Sequence, residues 1–104
     1  MKLPTTLTIG GVCWKIQACR IENGGEFRWD KHTIKINKDY TPARQFEVLI
    51  HEVAEVIMTN NMMRYGKCLS GMNANGDYLF SFNHDSFEIF TNELGGIMNE
   101  LMRR

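Results

Sequence analysis

The feature that most constrains the fold is a stretch from Thr41 to about Met63 with no glycine or proline after Pro42. Its apolar residues recur at spacings of three and four, which is typical of a helix with a broad apolar face. Thr41 can cap free backbone N–H groups, and proline at the first helical position loses no hydrogen bond. A long helix is therefore predicted from Pro42. Its apolar residues are Phe46, Leu49, Ile50, Val53, Val56 and Ile57.

The chain before this helix has the pattern of short strands separated by tight turns. Residues 7–9 and 12–16 flank Gly10-Gly11, a pair that supplies the positive φ angles of a two-residue hairpin turn. Residues 26–29 and 33–37 form a second hairpin pattern that turns at residues 30–32. The sequence thus predicts a small, mainly antiparallel sheet of three or four strands.

The chain after the helix divides into a glycine-containing segment and a second helix. Residues 64–83 show no sustained period, so we predict a long loop, with a short hairpin pattern that ends at residues 78–82. The second helix is predicted from Asp85 or Ser86 to Met102, because Asp85 and Glu88 have capping-box spacing. Its apolar stripe comprises Phe87, Phe90, Leu94, Ile97, Met98 and Leu101.

Gly95 and Gly96 lie inside this second helical pattern. Glycine lowers helix propensity, so a pair of them in a helix interior calls for a reason. We expect them to allow close approach to the first helix or to the sheet.

Composition limits the classes of partner. The 104 residues suit one domain, and 12 basic residues balance 12 acidic ones. Proteins that bind nucleic acid or anionic membranes usually carry a basic excess, so neither is favoured as a partner. The start of the chain lacks the apolar run of a secretory signal. We therefore expect a cytoplasmic location, with three free cysteines; metal ligation by cysteine is the lesser alternative.

The first helix carries the sequence His51-Glu52-Val53-Ala54-Glu55. His51 and Glu55 are four residues apart, so their side chains share one helical face and can reach one metal ion. Glu52 lies beside them, in the position that H-E-x-x-H peptidases use for the general base. The alternative is that these three residues form the solvated face of an amphipathic helix.

One helix supplies two ligands, so a third has to come from elsewhere. His84 is the leading candidate because it precedes the second helix, and Glu88, one turn later, is the second candidate. The set His51, Glu55 and His84 would have the composition of catalytic zinc sites that keep one position open for water. For His84, a surface or capping histidine is the alternative.

The chain resembles small phage-encoded proteins related to the ImmA/IrrE-type zinc metallopeptidases. Residues 9–12 and 26–36 resemble the strands of that family, residues 49–57 its metal-binding helix, and residues 82–94 its H-x-x-I-x-x-L segment. The resemblance implies an α+β fold of minimal zincin type. In that fold a small N-terminal antiparallel sheet precedes a metal-binding helix, a long loop and a C-terminal helix.

The same resemblance implies one zinc ion per chain, although another divalent metal could replace it. His51, Glu55 and His84 would be its ligands and Glu52 the catalytic base. Glu55 in place of histidine makes the metal a weaker Lewis acid. Candidates to stabilise the oxyanion are Arg64, Tyr65 and Tyr78.

Two functions follow as hypotheses. The first is a zinc metallopeptidase in the cytoplasm of an infected bacterium, in which metal-activated water hydrolyses a peptide bond of a substrate docked on the sheet edge. The second is a non-catalytic phage accessory protein whose structural metal joins the two helices. A metal-free interaction domain is the third possibility.

Overall fold

A computed structural model of the chain describes residues 2–62, 64–66, 78–80 and 83–103. Four strands come first: β1 (Thr6–Ile9), β2 (Val12–Cys19), β3 (Gly25–Arg28) and β4 (Thr33–Asn37). Helix α1 (Pro42–Asn60), the short strands β5 (Arg64–Gly66) and β6 (Tyr78–Phe80), and helix α2 (His84–Met102) follow. The predicted α+β class, with the sheet before two helices, is confirmed.

The sheet has the strand order β1-β2-β4-β3. The β1–β2 and β3–β4 pairs are the two predicted antiparallel hairpins, and Gly10 and Gly11 have φ angles of 57° and 80° at the first turn. The central pair, β2–β4, is parallel, so the sheet is mixed. After β2 the chain places β3 one position away, and β4 then returns between the two. This insertion produces a parallel pair without a long crossover.

Asn37 at the end of β4 fixes the loop between β2 and β3. Its backbone N–H donates to the carbonyl of Gly24 at 2.9 Å, and its side-chain amide donates to the carbonyl of Ile21 at 3.1 Å. These bonds satisfy loop carbonyls that would otherwise lack partners. The loop therefore delivers β3 to the edge of the sheet in a fixed position.

The core lies between one face of the sheet and the two helices. Alternate strand residues are buried, as a sheet with one covered face requires, and Cys13, Lys15 and Gln17 face away from the core. Helix α1 contacts β3 and β4, whereas α2 contacts α1 and β1 at the opposite edge. The core residues are Leu7, Ile9, Trp14, Ile16, Ile34, Ile36, Val48, Leu49, Val53, Val56, Ile57, Ile97 and Leu101.

Both helices have side-chain caps at their N-termini. Thr41 accepts a hydrogen bond from the backbone N–H of Arg44 at 3.3 Å, as predicted for α1. In α2 the cap is Asn83, which accepts from the N–H of Ser86 at 2.8 Å. The predicted start at Asp85 or Ser86 was one or two residues late, because asparagine caps a helix as well as aspartate does.

The second half of α2 supplies its buried contacts. Ile97 and Leu101 are in the core, but Phe87 is 54% exposed, so the predicted apolar stripe is buried only in its C-terminal part. Between the helices, strands β5 and β6 pair antiparallel, and residues 67–77 of the predicted loop lie outside the described residues. No helix in the described part of the chain is long and apolar enough to cross a membrane.

Gly25 is the point where α1 lies against β3. A Cβ atom there would collide with Cγ1 of Val48 and would lie 3.3 Å from Cγ of Glu52. Replacement of Gly25 by alanine would therefore push α1 away from the edge strand. We expect Gly25→Ala to lower the free energy of unfolding by about 1–3 kcal/mol, the usual cost of overpacking a core, as measured by urea denaturation. Unchanged stability would contradict this close approach.

Gly95 and Gly96 do not have the predicted packing role. No heavy atom of the described residues lies within 4 Å of a Cβ built at either position, and both residues are exposed. Alanine has the higher helix propensity. We expect Gly96→Ala to raise the free energy of unfolding by about 0.5–1 kcal/mol in the same denaturation experiment. It is the matched control for Gly25→Ala, and a loss of stability would show that this helical face is covered.

Candidate metal centre

His51, Glu52 and Glu55 lie at the margin of the buried face of α1. Around the helix Glu52 falls between the core residues Val48 and Val56, Glu55 lies just beyond Val48, and His51 is about 100° from Glu52. The exposed fractions of the side chains follow this order, at 8% for Glu52, 19% for Glu55 and 68% for His51. The helix thus presents a graded set of donors, from a buried carboxylate to an accessible imidazole.

The donor atoms of these three residues are close together. Nε2 of His51 lies 2.8 Å from Oε2 of Glu55 and 3.8 Å from Oε2 of Glu52. Two ligands of a tetrahedral zinc ion are about 3.3 Å apart, given metal–ligand bonds of about 2.0–2.2 Å. The observed separations lie on either side of that value. Small side-chain rotations would therefore let His51 and Glu55, with or without Glu52, hold one divalent cation.

Glu52 is the one charged residue that is buried among the described residues. Burying a carboxylate is costly unless nearby groups compensate for the lost hydration. This burial argues against the alternative that His51, Glu52 and Glu55 all belong to a solvated helix face. A carboxylate kept at the core margin beside a histidine is instead typical of a functional site.

A groove between α1 and the edge strand β3 exposes these donors to solvent. One hollow of about 650 Å³ has Gly25, Phe27 and Trp29 on one side and His51, Glu52 and Glu55 on the other. A second hollow of about 340 Å³ shares Gly25, His51 and Glu52 and extends toward Arg44. The two hollows therefore meet at Gly25, His51 and Glu52, and Glu55 lies in the larger one.

The structure does not bring His84 to this group. His84 is the first residue of α2, its side chain is 81% exposed, and its donor atom groups with those of Asp85 and Glu88. The physical reason is the position of α2, which packs on α1 and β1, at the sheet edge opposite β3. Glu88, the second candidate for the third ligand, lies in the same separate group. Within the described residues, the third donor beside His51 and Glu55 is Glu52.

The other candidates from the sequence do not alter this description. The side chains of Arg64, Tyr65 and Tyr78, named for the oxyanion, lie outside the described part of the structure. Cys13 and Cys19 are free thiols, and Cys68 lies outside the described residues.

The opposite wall of the groove was not predicted from the sequence. The signal was present in Gly25 and Phe27, which alternate along β3 and so share a face, and in Trp29, which directly follows the strand. Trp29 is 43% exposed, so its ring is accessible from the groove.

Comparison with known proteins gives no relative. No protein-family model, no curated protein and no solved structure matches the chain. The resemblance to the ImmA/IrrE-type metallopeptidases therefore stays a prediction from the motif.

The donor geometry makes a prediction about metal content. We expect protein purified without a histidine tag and supplied with zinc to hold about one ion per chain. His51→Ala and Glu55→Ala should each lose most of it, because each removes one of the two most accessible donors. Elemental analysis after exhaustive dialysis measures this content.

His84→Ala is the matched control, since it removes an exposed helical histidine from the other donor group. We expect this variant to retain the wild-type zinc content. Loss of zinc in His84→Ala would support the ligand set predicted from the sequence, which is His51, Glu55 and His84. Absence of zinc in the wild-type protein would exclude the centre.

Proposed function

We propose that this protein is a zinc-dependent metallopeptidase of the cytoplasm that hydrolyses a peptide bond in a peptide or protein substrate. The observation that carries the proposal is the buried Glu52 carboxylate, 3.8 Å from Nε2 of His51 in a groove open to solvent. A general base needs this combination: access to the reacting water, and a position fixed by the surrounding protein.

The role of each residue follows from its place in the groove. His51 and Glu55, which are more exposed than Glu52, would hold the cation. The bound cation would supply a Lewis acid that polarises the scissile carbonyl and the attacking water. Glu52 would accept a proton from that water as its oxygen bonds to the carbonyl carbon. It would then deliver the proton to the amine nitrogen when the C–N bond breaks.

The position of β3 supports a peptide substrate. This strand is at the edge of the sheet and pairs with β4 alone among the described strands. An edge strand offers backbone N–H and C=O groups that an extended peptide can pair with. Because β3 also forms one wall of the groove, a peptide added to its edge would run past His51 and Glu52.

A non-catalytic metal-binding protein is the second candidate, and a specific observation favours it. In the described residues Glu52 is the third donor within reach of the same ion. If Glu52 binds the cation, no carboxylate of the group is left to act as the base. A structural metal that joins the two helices is less well supported, because the three donors belong to α1 alone.

Glu52→Gln separates the two functions. If Glu52 is the base, the variant should keep its zinc and its fold, because glutamine has the same shape. Hydrolysis of a quenched fluorescent peptide library should then fall by roughly 10²–10⁴-fold, the usual contribution of a general base. The measurements are zinc content and turnover on the same preparation.

The matched control is Glu88→Gln, which removes a carboxylate on α2, away from both hollows, at a side chain that is 61% exposed. We expect its turnover to equal that of the wild type. Loss of zinc from Glu52→Gln would favour the non-catalytic protein. Equal turnover in Glu52→Gln and wild type would exclude Glu52 as the base.

A further inference from the structure

The larger hollow of the groove has an aromatic wall held in place by the core. Phe27 and Trp29 line it from the β3 side. The ring of the buried Trp14 lies behind both, with centroids 6.3 Å from Phe27 and 5.5 Å from Trp29, each in an edge-to-face arrangement. His32 contacts the two tryptophans as well. Trp29 is therefore an exposed ring on a rigid support, which is a suitable surface for a ligand.

The charged residues of this hollow have one sign. Glu26, Glu52 and Glu55 line it, and among the described residues no lysine or arginine does. The adjoining smaller hollow differs, because Arg44 lines it. If a divalent cation occupies the centre, it offsets the charges of Glu52 and Glu55, and Glu26, whose cross-strand neighbour on β4 is Lys35, is the carboxylate of the hollow outside that donor group.

An aromatic wall facing carboxylates selects cations. A guanidinium or ammonium group gains both cation–π attraction to the tryptophan ring and ion pairing with a carboxylate. An acidic side chain would be repelled, and an uncharged apolar side chain would remove water from the carboxylates without replacing it. Arginine fits best, because its planar group stacks on rings and its aliphatic stem packs on apolar surface.

We propose that the hollow between Trp29 and Glu55 is a subsite for an arginine side chain of the peptide substrate. The inference rests on the proposed function, because it assigns the larger hollow beside the metal ligands to the substrate. Trp29 and Glu26 would determine specificity in this subsite, and neither takes part in bond cleavage.

The test measures binding in a protein that does not turn over. The probes are blocked pentapeptides Gly-Gly-X-Gly-Gly in which X is arginine, norleucine or glutamate. They are titrated into zinc-loaded Glu52→Gln protein, and the shift of the Trp29 indole NMR signal is followed. We expect the arginine peptide to bind roughly threefold to tenfold more tightly than the norleucine peptide. The glutamate peptide should bind most weakly.

Variants of the wall assign this preference to named residues. Within the Glu52→Gln background, Trp29→Phe should keep part of the preference for arginine, and Trp29→Leu should abolish it. Glu26→Gln, which leaves the aromatic wall intact, should reduce it. For these variants the amide signals of β3 report binding. Phe87→Leu is the matched control, since it removes an exposed aromatic ring on α2, and it should change nothing.

Two results would overturn the proposal: equal binding of the arginine and norleucine peptides, or an unchanged preference in Trp29→Leu protein. Because binding is read without hydrolysis, absence of turnover in the wild type would count against the peptidase and leave this result unaffected. Wild-type turnover without a preference for arginine would count against the subsite alone.

Discussion

The close approach of α1 to the edge strand β3 at Gly25 is the constraint on which the candidate site depends. Val48 and Glu52 occupy the space that a side chain at position 25 would fill. The contact brings Glu52 to the margin of the core and makes β3 the second wall of the groove. From that point the groove widens toward Trp29, because His51 and Glu55 turn outward along the helix. The absence of a side chain at Gly25 therefore allows α1 to bury the Glu52 carboxylate against β3.

The three donors lie near the boundary between the buried face and the solvated face of α1. A helix that packs on a sheet has an apolar face and a solvated face, and the positions between them are half buried. Glu55 occupies such a boundary position, Glu52 lies just inside the buried face, and His51 has turned further into solvent. Water can reach the imidazole while the protein restrains the carboxylates. A single helix, rotated so that these positions lie beside the sheet edge, can therefore combine an accessible metal ligand with a restrained carboxylate. The edge strand β3 supplies the opposite wall of the groove.

The parts of the fold that depend on neighbouring residues were predictable from the sequence. Thr41-Pro42 defined the start of α1, and Gly10-Gly11 defined the first hairpin turn. The parallel pairing of β2 with β4 was not predictable, because it depends on where the chain places β3 after the loop that Asn37 holds. The same limit applies to His84. Periodicity shows which face of α2 is apolar, but it does not show against which sheet edge that face packs. The candidate site could therefore be predicted within α1 and not beyond it.

The role of Glu52 is bound up with the placement of all three donors on one helix. In an H-E-x-x-H site one helix supplies two ligands and another element supplies the third, so the glutamate after the first histidine is left to act as a base. Here the position next to His51 is both the third donor and the candidate base. Its position weighs toward the base, because its Oε2 lies 3.8 Å from Nε2 of His51, compared with 2.8 Å for Oε2 of Glu55, and 8% of its side chain is exposed. The accessible His51 and the partly exposed Glu55 can move toward an ion more easily. The difference in burial between Glu52 and Glu55 therefore supports division of the two carboxylates between catalysis and metal binding.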